Sequence, residues 1–448
     1  MTFDRKKPYV LYILLTISGL GYYYFGYLLY RANFYELFGI YSLLFGVFIW
    51  MTRQYSEHSR LLWVSSLIFR FIFILAIPSL SQDFYRFIWD GQMILEGLNP
   101  YLYTPASFLQ SGELPIGGAS ALIDGMGSLS AGNYTNYPPL NQLSFAIATL
   151  FSGGSVIGSV FMFRLMIIAA DLGTIFFGKK MLNELKLPES NILWYALNPF
   201  IIIELTGNLH FEGVMIFFLV CSLYLLHKGN WLWSAVLLSC SISIKLIPLI
   251  FLPLFLQKLR FKSIQYYFVV SILTVLFFLP FYSSEFVSNF SDTIALWFQK
   301  FEFNASLYYI AREIGYSFRG YNEIAIIGSY IPYIVIGFIM LLTVLRNNRS
   351  SRQLISAMLL GLTFYFFTST TVHPWYIATL LALGIFTRYR FALAWSFVVM
   401  LSYWAYSQPD FQENLVLIAV QYGIVFSLFL LEIFGVDVFG KLKASSTG

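Results

Sequence analysis

Apolar runs of about twenty residues recur along the whole of this chain, and that is the length a helix needs to cross the core of a bilayer. Clear examples cover 9–30, 61–80, 156–177, 231–256 and 414–434. About eleven to thirteen such segments can be counted, several of them short or broken by proline. The runs do not alternate polar with apolar residues as barrel strands do, so helices are the spanning structure that satisfies the backbone. Of 448 residues 58% are hydrophobic and 11% charged, against roughly 25% charged in a soluble domain. The expected fold is an all-α polytopic membrane protein, one integral-membrane domain over residues 1–448.

Basic residues give the expected orientation. Arg5, Lys6 and Lys7, then Arg53 and Arg60, then Lys258, Arg260 and Lys262, then Arg346, Arg349 and Arg352 mark cytoplasmic loops. The first apolar run is too long for a cleaved secretory signal and lacks a small-residue cleavage site, so it reads as a retained span. The net charge of +5 is orientation signal and not a nucleic-acid footprint. Cys221 and Cys240 both lie in apolar runs and carry no redox information.

Two non-membrane stretches, about 81–139 and about 283–323, fall on the side opposite the basic loops. Chemistry is expected there, since long ordered loops in a compact protein are usually functional. The path between 138 and 180 has two readings. Two full spans would put Lys179 and Lys180 on the outer side, whereas Gly153-Gly154 could mark a helix that enters and leaves on one face. In the run 231–256, Lys245, Pro248 and Pro253 predict two half-helices with Lys245 near the apex.

Four clusters could carry chemistry. Arg86 follows Asp83 by three residues and precedes Asp90 by four, so on a helix the trio forms an ion-pair ladder that Ser81 caps. That reading is purely structural. The functional reading has Asp83 facing a reaction cleft at the membrane–water boundary, with Asp90 two turns away, roughly 10 Å along the axis. In the second cluster Asn208, His210 and Glu212 alternate, which in an extended loop points them the same way, with Glu204 just upstream. Such groups suit sugar hydroxyls, and Glu204, His210 and Glu212 could also bind a divalent ion; an ordinary polar turn is the plain alternative.

Lys245 lies between long apolar stretches, where an unpaired lysine costs about 2.5–3.5 kcal/mol on insertion scales, so it needs an anionic partner or a watery cavity. A phosphate would serve. Arg164 and Asp171 are seven apart on one helical face and read as a structural pair between helices. Finally His373 opens the segment His373-Pro374-Trp375-Tyr376 at a span junction, where it could donate to a phosphate.

Taken in order, Asp83-Phe-Tyr-Arg86, Trp89-Asp90-Gly91, Gly97-Leu-Asn99-Pro100-Tyr101, Tyr137-Pro138-Pro139-Leu140, Asn198-Pro199, Glu204, Asn208-Leu-His210, Lys245 and His373-Pro374-Trp375-Tyr376 resemble motifs of the GT-C class of integral-membrane glycosyltransferases. The likeness is to the polyprenyl-phosphate-mannose-dependent mannosyltransferases. It implies a GT-C-like helical bundle whose two outer loops carry short interfacial helices. It also implies a polyprenyl-phosphate sugar donor and a glycan, lipid or protein acceptor reached from the non-cytoplasmic side. Asp83 takes the catalytic position, and Arg86, Asp90, Asn99, Tyr101, Glu204, Asn208, His210, Glu212, Lys245, His373, Trp375 and Tyr376 are the expected substrate-binding residues. The Asp-x-Asp pair of related enzymes is absent around Asp83.

An exposed aspartate, with a pKa near 3.9, is ionised at neutral pH and can accept the acceptor's hydroxyl proton. The expectation is an inverting hexosyltransferase, with mannose as the sugar and no obligatory metal or other cofactor, in a bacterial plasma membrane with its site facing outward. A transporter or flippase for a lipid-linked or polar solute is the rival, because broken helices with intramembrane Lys245 and Arg164 also suit one. Against it, the segment Asp83–Tyr101 has no second copy in the chain.

Overall fold

The computed structural model describes residues 8–436, so Arg5, Lys6 and Lys7 lie outside the described residues. Among the described residues six helices are long and apolar enough to cross a membrane: Tyr9–Tyr27, Phe34–Gln54, Val156–Glu184, Lys262–Phe281, Ile324–Leu345 and Leu415–Ile433. A seventh span is available if the bent pair Ile201–Gly207 and Glu212–His227, which turns through 111°, is taken as one. Four shorter apolar helices, Trp231–Ile244, Ile247–Leu259, Pro374–Gly384 and Phe391–Ser407, account for further apolar runs. The polytopic all-helical expectation therefore holds, but fewer of the apolar segments are continuous spans than their number in the sequence suggests.

The breaks have local causes. Lys245 sits in extended backbone (φ −147°, ψ 138°) between the helix Trp231–Ile244 and the 3₁₀ helix Ile247–Phe255. Pro248 and Pro253 cannot donate to an α-helical ladder, so the second half tightens into a 3₁₀ form. Upstream, the segment Ile201–Gly207 forms a π-helix, and Leu209 adopts a positive φ of 62° that turns the chain into the helix Glu212–His227.

Buried charges tie the spans together. Arg70 Nε lies 2.8 Å from Asp171 Oδ2, and Tyr195 donates to Asp171 Oδ1 at 2.8 Å. Arg164 donates instead to the carbonyls of Ile74, Thr206 and Gly207 at 2.9–3.1 Å, which are backbone acceptors freed by the π-helical turn and the loop after Ile72. Arg164 and Asp171 thus both take the structural, inter-helix role expected of them, Asp171 as an ion pair and Arg164 through backbone carbonyls. Each finds a different helix, because partners in a bundle are chosen by packing across the sequence and not along it.

The basic loops gather at one end. Lys179 pairs with Glu189 at 2.6 Å beside Ser56, Ser59 and Trp63, just beyond Arg53. Lys228 pairs with Glu184 at 2.9 Å, Arg352 donates to the Leu185 carbonyl at 2.7 Å, and Gln257 donates to the Arg346 carbonyl at 2.8 Å. At the opposite end lie Arg31, Ser81–Asp83, the loop before Pro139, and His373. This arrangement decides between the two readings of 138–180. Pro138 belongs to the far end, the helix Pro139–Ser152 ends in a turn with positive φ at Gly153 (60°) and Gly154 (79°), and the 29-residue helix Val156–Glu184 makes the single crossing that returns Lys179 to the basic end.

Both long loops at the far end carry helices, as expected. The first holds Asp83–Leu95, Pro105–Ser111 and Ala119–Ala131, and the second Ser284–Gln299 and Leu307–Arg319. In the last of these Leu307, Ile310, Ile314 and Phe318 are exposed at spacings of three and four, an apolar stripe suited to lying in a membrane interface. In a cysteine-scanning experiment with a membrane-impermeant maleimide, Ser155→Cys should label from one membrane face and Asn183→Cys and Arg349→Cys from the other. Labelling of Ser155→Cys together with Arg349→Cys would restore the two-span reading.

Candidate active site

A cavity of about 880 Å³ opens at the end away from the basic loops. One wall is polar, made by Ser81–Asp83, Arg86 and the loop 127–137; the other is apolar, with Ile247, Leu249, Ile250, Pro332, Val335 and Ile336. Leu249 is 47% and Ile336 59% exposed, so this second wall continues onto the exposed apolar surface of the helices. Glu212, Lys245, His373, Trp375 and Tyr376 close the cavity between the walls.

Asp83 opens the helix Asp83–Leu95, where an acidic first-turn residue complements the helix dipole, and its N–H donates to Ser81 Oγ at 3.3 Å. Burial in the cavity pushes its carboxyl up to about 6, against the pull of Lys245 and with Glu212 adding to the rise. Asp83 has no ion-pair partner among the described residues, because Arg86 turns the other way: its Nε meets Asp90 Oδ1 at 2.7 Å, and its Nη1 donates to the Ser130 and Asn133 carbonyls at 2.7 and 2.9 Å. Asp90 Oδ2 accepts from Thr135 Oγ1 at 2.6 Å and from Gln142 Nε2 at 2.8 Å. The three-member ladder expected from spacing is therefore a two-member one, and it fastens the polar wall to the helix. That leaves Asp83 facing the cavity.

Six of the expected substrate-binding residues stand behind the cavity and not in its lining. Asp90 is wholly buried with the partners just named. Tyr101 is also wholly buried, donating to the Tyr137 carbonyl at 2.6 Å, and Asn99 donates to the Phe281 carbonyl at 3.1 Å. Glu204 accepts from Tyr403 at 2.8 Å and lies 3.7 Å from His210 Nε2, while Asn208 Oδ1 accepts from the Leu80 N–H at 3.3 Å. The premise that Asn208, His210 and Glu212 share a direction fails because the segment is a tight turn, with Leu209 in the left-handed region, and not an extended loop. Asn208 and His210 face Glu204, and Glu212 faces Lys245. Among the described residues no three His, Cys, Asp or Glu side chains converge as metal ligands.

The remaining expected residues do line the cavity: Asp83, Arg86, Glu212, Lys245, His373, Trp375 and Tyr376. Lys245 Nζ sits 3.1 Å from Glu212 Oε1 and 4.9 Å from the centre of the Tyr137 ring, so its charge is held by a carboxylate and an aromatic face. Trp375 is sandwiched, with His210 stacked at 3.8 Å and His373 at 4.5 Å on nearly parallel planes. Both faces of the indole are taken, so Trp375 orients His373 and leaves no platform for a sugar ring.

Arg31 escaped the sequence reading. It reaches the cavity from the loop between the first two helices, lies 5.0 Å over the Tyr406 ring, and donates to Gln82 Oε1 at 3.4 Å. Its signal was available, as a lone arginine in a loop on the side that the other basic loops avoid.

A helical membrane bundle with a carboxylate-bearing cleft at the end away from its basic loops is the architecture expected of the GT-C class. The chain belongs to the alpha-(1->6)-mannopyranosyltransferase family, whose N-terminal-domain model matches residues 18–259. That span contains Arg31, Asp83, Glu212 and Lys245; His373–Tyr376 lie beyond it. A relative, alpha-(1->6)-mannopyranosyltransferase A of Mycobacterium tuberculosis (strain ATCC 25618 / H37Rv), is 23% identical over 214 residues, 46% of this chain and 40% of that protein. The match thus spans well under two thirds of the relative's length.

If Asp90 is scaffold, Asp90→Ala should strand the buried Arg86 guanidinium and lower stability by about 3–5 kcal/mol, read as a fall in the thermal unfolding midpoint in detergent. A substrate ligand would show the opposite pattern, with unchanged stability and a raised KM.

Proposed function

We propose that this protein is an inverting mannosyltransferase that moves mannose from a polyprenyl-phosphate donor to an acceptor hydroxyl at the non-cytoplasmic face of the membrane. The observation that carries the reading is the two-walled cavity: a carboxylate without an ion-pair partner among the described residues on the polar wall, and an apolar wall that runs out to the exposed apolar surface of the helices. A donor whose tail dissolves in the bilayer and an acceptor that arrives from water both have a route to Asp83. Family membership supports glycosyl transfer over the transporter reading.

In the proposed step Asp83 takes the proton of the acceptor hydroxyl as its oxygen attacks the anomeric carbon, and the bond from that carbon to the phosphate oxygen breaks on the opposite face. A single displacement inverts the configuration. The polyprenyl phosphate leaves with the electron pair, and Lys245 and His373 stand where they can hold it. The negative charge of Asp83 also favours an oxocarbenium-like centre. Base and cation both come from the chain, so the reading assigns no role to a metal or cofactor. In this reading the acceptor is a glycan, lipid or protein hydroxyl, and the gathering of basic loops at the other end supports a cavity facing outward from a bacterial plasma membrane.

Asp83→Asn should fold and express normally but lose about 10²–10⁴-fold in kcat with a polyprenyl-phosphate mannose donor, the usual contribution of a positioned base. A fully active variant contradicts the assignment. The pH profile gives a second check. A carboxylate raised to about 6 is protonated as pH falls through that value, so kcat/KM should fall about tenfold per pH unit below pH 6. A profile flat down to pH 4 would show that no group of this kind acts as base.

A further inference from the structure

Glu212 is the one cavity carboxylate that the reaction as written leaves unused. Its side chain is wholly buried, and neither carboxylate oxygen has a hydrogen-bond donor; the Lys245 ammonium, 3.1 Å from Oε1, is its ion-pair partner. An ionised carboxylate is acceptor-only and has room for about four hydrogen bonds. The ion pair at Oε1 fills only part of that capacity, and the remainder suits a hydroxyl donor. As the counter-charge of Lys245 the carboxylate uses one oxygen, Oε1, and Oε2 is left without a side-chain donor.

We infer that Glu212 receives the hydroxyl on the carbon next to the anomeric centre of the donor sugar, and so sets which hexose is transferred. This rests on the donor reading above. If the donor phosphate is held by Lys245, the sugar is attached through that phosphate, and the 2-hydroxyl is one carbon removed from the bond that breaks. The group lying against Lys245 on the cavity side is Glu212. An arriving phosphate competes for the ammonium and draws it from the carboxylate, which frees Oε1 and Oε2 for the sugar. A hydrogen bond from the 2-hydroxyl to a carboxylate strengthens as positive charge grows at the anomeric carbon, so the contact acts more on the transition state than on binding. Mannose and glucose differ only in the direction of this hydroxyl. Its placement against a fixed carboxylate therefore discriminates between them.

The test compares purified wild type and Glu212→Gln on three polyprenyl-phosphate donors carrying mannose, glucose and 2-deoxymannose. Wild type should prefer the mannosyl donor over the 2-deoxy donor by a large factor, up to about 10⁴-fold in kcat/KM, as polar sites do when a substrate hydroxyl is missing. In Glu212→Gln that ratio should collapse to within about tenfold. Where an unpaired Lys245 prevents folding, Glu212→Gln with Lys245→Met removes the stranded charge; loss of Lys245 affects all three donors alike and leaves their ratio readable. An undiminished preference, or equal loss on every donor, would overturn the inference and make Glu212 a holder of Lys245 only. A wild type inactive with every polyprenyl-phosphate sugar overturns the donor reading itself, and this inference with it.

Discussion

An ammonium group cannot rest in an apolar interior without a counter-charge, and the Lys245–Glu212 pair is where the bundle meets that requirement. The two residues come from two broken helices, one interrupted by proline and one turned through 111°. Their pairing brings both breaks to the same wall. Irregular backbone at such depth is tolerated only when it is buried or lines a cavity, and here it lines one. Charge and irregularity are thus gathered at the same place, and the cavity is what they enclose.

Around that pair the polar groups divide into those that are satisfied and those that are not. Arg70 pairs with Asp171 and Arg86 with Asp90, and each guanidinium also donates to backbone carbonyls of neighbouring segments, with only its Nη2 left without an acceptor. They are scaffold, and breaking either strands a buried charge. Asp83 and Arg31 have no ion-pair partner among the described residues, and Glu212 has one where it could hold several. These are the groups a substrate would complete. The stack of His210, Trp375 and His373 joins the two sets, carrying the buried Glu204 network out to an imidazole at the cavity surface.

Much of this was legible in the sequence where the signal was local. The apolar runs gave helices, Lys245 with Pro248 and Pro253 gave the break, and the basic loops lie together at one end, whereas the expected cap Ser81 stands one residue before the actual N-cap, Gln82. What was not legible was choice of partner. Arg86 has an acid at both three and four residues' distance, and the loop carbonyls of Ser130 and Asn133 decide which one it takes. Arg70 and Asp171 are 101 positions apart, and nothing along the chain links them. Alternation placed Asn208, His210 and Glu212 on one side only on the assumption of an extended loop; one left-handed residue, Leu209, removed that assumption. Tyr101 and Asn99 bear polar groups that matched a binding role, yet they bind backbone carbonyls of other segments.

The central claim is geometric: Asp83 and a lipid-borne phosphate share one cavity. A density map of the purified protein with a non-transferable polyprenyl-phosphate mannose analogue tests it most directly. The account predicts the isoprenoid chain along Ile247 and Ile336, the phosphate against Lys245 and His373, and the anomeric carbon turned toward the Asp83 carboxylate. A lipid bound elsewhere on the bundle, or a sugar separated from Asp83 by protein, would contradict it.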